Sequence, residues 1–127
     1  VRQSWDEYFF SLATAVSSRA TCPRRQVGCV LVKNNIIVAT GYNGSVHGEP
    51  HCIDIGCNMV DGHCVRTIHA EQNALLHATS NLLNAVAYVT LEPCSTCSRL
   101  MRQAGIGAVY FIETYEHAMQ ELNKELV

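Results

Sequence analysis

The apolar positions near the start of the chain recur at helical spacing. Over "SWDEYFFSLATAVSSR", Trp5, Tyr8, Phe9, Leu12 and Val16 fall on one side of a helix, and that stripe is expected to face a core. Ser4 and Glu7 match the S-x-x-E capping box that opens a helix. The pattern then shortens to two β-rich runs, "VGCVLVK" (27–33) and "IIVATGY" (36–42), joined by Asn34-Asn35 as a hairpin turn. Cys29 lies inside the first run and is expected to be an inert core thiol. Residues 43–66 carry four Gly, one Pro and no period. A structureless run of that length is uncommon in a compact domain and is usually functional.

The second half alternates. "HAEQNALLHATS" (69–80) predicts a helix with Thr67 or Ile68 near its start, and "AVAYVTL" (85–91) a buried strand. "CSTCSRLMRQAG" (94–105) predicts a helix stopped at Gly105, "AVYFIE" (108–113) a strand and "HAMQELNKEL" (117–126) a last helix. Such alternation calls for right-handed crossovers and parallel pairing. Joined to the hairpin, it predicts an α/β fold, a mixed central sheet in a three-layer α/β/α arrangement.

Length and composition narrow the partners. The chain has 127 residues, which suits one domain over 1–127, and 48% hydrophobic with 16% charged residues suits a packed core. A formal charge of -2 and a pI near 6.3 leave no electrostatic footprint for polynucleotide. A small anionic substrate met by a few local arginines fits that balance. No apolar run reaches the ~18 residues that span a bilayer, and no signal peptide is visible, so no membrane partner and a cytoplasmic location are expected. The chain begins at Val1 rather than Met, which leaves room for leading residues and an address within them.

Seven cysteines stand at 22, 29, 52, 57, 64, 94 and 97. A lone C-x-x-C such as Cys94 and Cys97 serves as a redox pair, a staple or two arms of a metal site. The odd total and a core that needs no staples favour metal binding over disulfides. His69 and Glu71 form H-x-E, and Pro93, Cys94 and Cys97 form P-C-x-x-C, the pattern of zinc-dependent nucleobase deaminases. The physics agrees. A catalytic zinc takes three protein ligands and keeps one position open for water. His69, Cys94 and Cys97 supply an imidazole and two thiolates, all near helix starts, where the helix dipole favours thiolate. Glu71, two positions from His69, leans over the open position instead, to take a proton from water, pass it to the ring nitrogen and help ammonia leave. A redox pair explains neither His69 nor Glu71.

With "SWDEYFF", "CPRRQVGCVLVKNNIIVATGYNGSVHG", "HCVRTIHAEQNAL", "YVTLEPCSTCSRLMRQAGI" and "VYFIETY", the chain resembles the deoxycytidylate deaminases of the cytidine deaminase superfamily. "GYNG" (41–44), followed by Gly48, is the more discriminating motif. The resemblance implies a cytidine deaminase-like fold and zinc-dependent hydrolysis of dCMP to dUMP and ammonia for thymidylate synthesis. It also implies a homohexamer activated by dCTP and inhibited by dTTP, with Mg2+ accompanying the nucleotide effector. Substrate contacts are expected from Asn43 (sugar hydroxyl), Arg24 and Arg25 (5′-phosphate), Ala70 and Tyr115, with Arg66 a lesser phosphate candidate. Effector contacts are expected from Asn43, Gly44, His47 and Gly48. Each has a plainer reading: Asn43 as a turn residue, the arginines as solvated charges, Tyr115 as packing. Val46 stands where the family pattern G-Y-N-G-x-P commonly has Pro, a departure that weakens the regulatory inference. Relatives often continue beyond the equivalent of Val127 into another strand.

Some of these deaminases carry a second, structural zinc. Cys22, Cys52, Cys57 and Cys64 are the expected ligands here, with His51 or His63 as substitutes for one sulfur. Free thiols or a disulfide are the alternatives. Two rival functions remain. A tRNA or single-strand deaminase needs a basic groove that the charge balance disfavours. A non-catalytic zinc module has no use for Glu71.

Overall fold

The computed structural model describes residues 1–61 and 63–114, with the backbone alone at His63. Tyr115 and the expected helix over 117–126 lie outside the described residues.

Helix α1 (Trp5–Ser17) opens with the expected box: the Glu7 N–H donates to Ser4 Oγ (3.2 Å) and the Ser4 N–H to Glu7 Oε1 (3.3 Å). Its stripe is only partly as expected. Phe9 and Ala13 are buried, and Leu12 and Val16 pack beside them. Trp5 and Tyr8 stay 56% and 41% exposed. Apolar contact with the sheet begins one turn into the helix, where Phe9 meets the Tyr88 ring at 5.2 Å. Trp5 and Tyr8 lie before that point and pack on Phe9 at 5.7 and 5.1 Å.

Strand β1 (Gly28–Lys33) turns through Asn34 (φ 53°) and Asn35 (φ 62°) into β2 (Ile36–Tyr42). Two left-handed residues in succession give the tight turn whose twist suits a hairpin. The run without a period, 43–66, holds short pieces: β3 (Gly44–Ser45), α2 (Cys52–Ile55), β4 (Met59–Val60) and β5 (His63–Cys64), and just beyond it Thr67 and Ile68 form β6 (Thr67–Ile68) ahead of the next helix. Elements of two to four residues are too short to show a period in the sequence. Then follow α3 (Ala70–His77), β7 (Val86–Leu91), α4 (Ser95–Gln103) and β8 (Ala108–Glu113).

The main sheet has the order β2-β1-β7-β8. The β7–β8 pair is parallel and the other two pairs are antiparallel, so the sheet is mixed as expected. Alternation sorts its side chains between two faces. Val30, Val32 and Tyr88 pack under α1. Cys29, Leu31, Ala87 and Val89 pack under Ala70 and Ala74 of α3 and Met101 of α4. Three layers result. Cys29 is fully buried, and burial pushes its thiol well above the usual range, as befits an inert core residue.

Two glycines let helices lie directly on the sheet. A Cβ at Gly28 would stand 2.0 Å from the Ala13 carbonyl oxygen of α1. One at Gly41 would stand 2.3 Å from the Ala74 nitrogen and 2.4 Å from the Ala70 carbonyl oxygen of α3. α4 ends at Gly105 (φ 98°), as the sequence predicts.

Candidate active site

Strand direction decides which chain segments meet. β7 ends at Leu91, and Glu92-Pro93-Cys94 leads straight into α4. β1 runs against β7, so its leading segment, residues 22–27, arrives at that same edge. β2 runs against β1 and leaves through Tyr42 and Asn43 at that edge too, with Tyr42 opposite Gly28. α3 begins beside them, tied down by Asn73 Nδ2 donating to the Tyr42 carbonyl (2.8 Å). Two helix N-termini and two strand flanks therefore enclose one cleft of about 640 Å³.

At its floor, His69 is the residue before α3. Its backbone N–H donates to the Gln72 Oε1 atom (3.1 Å), which ties the residue to the first turn of the helix. Cys94 holds the same place before α4, and Cys97 follows one turn later. His69 Nδ1 lies 3.3 Å from Cys97 Sγ and 3.7 Å from Cys94 Sγ, and all three donor atoms fall within 4.8 Å of one another. Tetrahedral Zn–S and Zn–N bonds place neighbouring donors about 3.5–3.8 Å apart, so the set fits zinc.

Glu71 is 5% exposed and sits in the first turn of α3. Burial raises its carboxyl above the usual range, opposed by its own backbone N–H and by Cys97. Burial also drives the Cys97 thiol up strongly, helped by the neighbouring Glu71 and Cys94 charges. A carboxyl and a thiol press on each other here, and a bound cation is what lets both be charged.

Arg24, Arg25, Asn43 and Ala70 all line the cleft. Asn43 is more committed than a turn residue: Oδ1 accepts the Val27 N–H (2.7 Å), and Nδ2 donates to the Arg25 carbonyl (2.8 Å). Each group keeps capacity for one more bond. Arg66 turns elsewhere, with Nε on the Gly56 carbonyl (3.2 Å). Of the expected effector residues, Gly44 is buried, whereas His47 and Gly48 are exposed; among the described residues none of these three lines the cleft. Val27, Gln72, Leu91, Glu92 and Thr96 line it without having been singled out. Each flanks a motif residue at a strand end or in a first helical turn, a signal the sequence did carry.

The other cysteines gather nearby. Cys22 and Cys57 sulfurs lie 3.7 Å apart, Cys52 and Cys64 sulfurs 3.5 Å apart, and those of Cys22, Cys52 and Cys57 are mutually within 4.8 Å. All seven cysteines are free thiols. These separations exceed a disulfide bond of about 2.05 Å, and the 3.7 and 3.5 Å pairs match neighbouring sulfurs on a zinc, while Cys64 adjoins Cys52 and lies outside the mutually close set of three. Burial raises the Cys52 thiol to about 12. Burial acts on Cys64 too, but backbone N–H groups of Arg66, Asn58 and Thr67, with the Cys52 thiol, outweigh it and bring that thiol to about 6. His51 Nδ1 is engaged with Thr21 Oγ1 at 2.9 Å.

A mixed sheet with His, Cys and Cys at two adjoining helix starts and a buried carboxyl beside them is the arrangement of a zinc-dependent deaminase. The chain belongs to the family of the cytidine and deoxycytidylate deaminase zinc-binding region, whose model matches residues 3–113. It is 45% identical over 118 residues to ComE operon protein 2 of Bacillus subtilis, covering 91% of this chain and 62% of that protein. It is 42% identical over 123 residues to deoxycytidylate deaminase of Saccharomyces cerevisiae, covering 91% of this chain and 39% of that enzyme. The chain thus spans less than two thirds of either relative. The crystal structure of dCMP deaminase from the cyanophage S-TIM5 in complex with dCMP and dUMP matches with a TM-score of 0.79 at 29% identity, over 98% of this chain and 93% of that one. Among the described residues no helix is long and apolar enough to cross a membrane.

Proposed function

We propose that residues 1–127 form one zinc-dependent deaminase domain that hydrolyses dCMP to dUMP and ammonia. The observation that carries this reading is the convergence of His69 Nδ1, Cys94 Sγ and Cys97 Sγ beside buried Glu71, in a cleft also lined by Arg24 and Arg25. The substrates named for the yeast and cyanophage proteins support the choice of nucleotide.

His69, Cys94 and Cys97 would hold the zinc. When bound, it supplies Lewis-acid activation of the attacking water. Glu71 accepts a proton from that water, donates it to the pyrimidine ring nitrogen, and carries the second proton to the departing amine. Water's oxygen ends as the new carbonyl and the amine leaves as ammonia. Burial suits Glu71 to this work, because a carboxyl raised above its usual range both takes and returns a proton readily. Val27 and Leu91 give the cleft apolar walls. Arg24 and Arg25 provide forked donors for the 5′-phosphate, and Asn43 and Ala70 adjoin the sugar and base.

Cys22, Cys52, Cys57 and Cys64 would hold a second, structural zinc; the sulfur separations support it. The proposal extends to a cytoplasmic homohexamer supplying dUMP for thymidylate synthesis, activated by dCTP with Mg2+ and inhibited by dTTP. What supports effector control is the GYNG turn followed by exposed His47 and Gly48. Ammonia release from dCMP, CMP, dCTP, deoxycytidine and a single-stranded oligonucleotide, with and without dCTP and dTTP, tests the whole reading. Turnover of dCMP should exceed all others. A preference for the oligonucleotide would overturn it.

A further inference from the structure

The segment that brings Arg24 and Arg25 to the cleft has no regular secondary structure, yet it is pinned at both ends. Downstream, the Asn43 amide grips the Arg25 carbonyl and the Val27 N–H. Upstream, Cys22 is 3% exposed and its sulfur lies within 4.8 Å of those of Cys52 and Cys57, with Cys64 joined to the cluster through Cys52. Only Pro23, with its fixed φ, separates Cys22 from Arg24. A second tie runs to the same cluster: Arg24 Nη1 donates to Met59 Sδ (3.3 Å), two residues beyond Cys57. Thr21 adds a third, since its carbonyl accepts the Ile53 N–H next to Cys52. Cys22 and Cys64 are themselves part of the cleft wall, whereas Cys52 and Cys57 do not line it.

We propose that the four-cysteine cluster is a positioning device for Arg24: metal held by Cys22, Cys52, Cys57 and Cys64 fixes the arginine segment and so sets affinity for a substrate phosphate. This rests on the nucleotide-deaminase reading. The residues act through Arg24 and touch neither the base nor the reacting atoms. An arginine held in place by its neighbours loses less freedom on meeting a phosphate than one on a loose loop, so cluster integrity appears in binding and not in chemistry. The cluster therefore separates phosphorylated from unphosphorylated substrates, a role beyond holding the loop in shape.

The test is Cys57→Ser, at a position outside the cleft wall. Metal content should fall from two zinc ions per chain to one. KM for dCMP should rise about tenfold or more, the loss expected for a charged hydrogen bond, while kcat and the KM for deoxycytidine change less than about twofold. Arg24→Ala should give the same KM pattern with both ions retained. The double variant should be no worse than Arg24→Ala alone, because the two changes remove one interaction. Met59→Leu, at a 41% exposed site that leaves the thiols intact, should raise KM for dCMP a few-fold and keeps the idea testable if Cys57→Ser does not fold. Equal losses with dCMP and deoxycytidine, additive losses in the double variant, or one zinc in the unmodified chain would overturn the proposal. If the unmodified chain turns over neither compound, the substrate reading fails by itself. Calorimetric binding of inorganic phosphate to the unmodified chain and to the Cys57→Ser and Met59→Leu variants then decides the positioning claim: weaker binding in the variants supports it, and equal binding refutes it.

Discussion

Gly41→Ala is the sharpest probe of how the sheet carries the active site. The new methyl would stand 2.3 Å from the Ala74 nitrogen, 2.4 Å from the Ala70 carbonyl oxygen and 2.9 Å from the Ala74 Cα. All three are backbone atoms, so no rotamer change relieves the clash. Ordinary contact begins near 3.4 Å, and α3 must therefore lift from β2 by about 1 Å. Overpacking of this kind costs about 1–3 kcal/mol, and backbone against backbone belongs at the upper end. For a chain of this size that lowers Tm by roughly 8–12 °C. The functional loss is separate. α3 carries His69 and Glu71 at its start, and His69 Nδ1 now lies 3.3 Å from Cys97 Sγ. A displacement of about 1 Å at a reacting group costs on the order of a hundredfold in rate. Thermal unfolding by circular dichroism, zinc content, and ammonia release per folded molecule at a temperature well below the new Tm measure the three effects. Gly48→Ala is the stability control: nothing lies within 4 Å, but its φ of 85° strains any side chain, so it should cost only about 1 kcal/mol. A Gly41→Ala chain with unchanged Tm and full turnover would refute the seating of α3 on β2.

Glu71→Gln keeps the side-chain shape and removes the proton acceptor; turnover should fall roughly a hundred- to ten-thousand-fold with zinc content unchanged, and retained turnover would exclude the proton-carrying role. Phe9→Ala empties the 1% exposed ring site between α1 and Tyr88 and should lower unfolding free energy by about 3–5 kcal/mol in urea titrations, while Trp5→Ala, at an exposed site, should cost far less. Tyr88→Phe removes the hydroxyl that donates to Asp6 Oδ1 (2.6 Å) and should cost about 0.5–1.5 kcal/mol. Burial first, and Asp6 second, raise the Tyr88 phenol above its usual range. The unfolded chain therefore releases that proton first as pH rises, so the stabilisation is complete below about pH 10 and is lost above it. The phenylalanine variant should show a shallower alkaline loss of Tm.

Chemistry was more legible in the sequence than packing. His69, Glu71, Cys94 and Cys97 were readable because metal chemistry fixes residue types and short spacings, and both motifs sit where a helix begins. Helix and strand positions followed for the same local reason: capping at Ser4, two consecutive asparagines at 34–35, a stop at Gly105. Trp5 and Tyr8 misled because spacing reports which side of a helix is apolar and says nothing of where the sheet beneath it begins. The short elements between Gly44 and Cys64 gave no period at all. What binds them is convergence of distant thiols, the partners Cys22 and Cys57 lying 35 positions apart in sequence. Val27 and Leu91 were legible as strand-end neighbours of motif residues, and the sheet's register is what brings those ends to one cleft.

That register bears on the proposed nucleotide substrate. In a wholly parallel sheet only strand-to-helix connections reach the carboxyl edge, and those supply the ligands His69, Cys94 and Cys97 here or their like. Running β1 against β7 adds two further segments to the same edge. One is the lead into β1, with Arg24 and Arg25; the other is the exit of β2, with Asn43. The antiparallel hairpin thus brings cationic and amide donors to an edge whose helix-borne groups serve the base. A two-residue turn at Asn34-Asn35 and a one-residue bulge at Val38 together fix the hairpin register, and a further slip of one residue would turn the side chains of β2 to the opposite face. The arginine-bearing end and the ligand-bearing end of the cleft are therefore set by different parts of the chain, with Asn43 tying the arginine segment to the exit of β2, and each can fail alone.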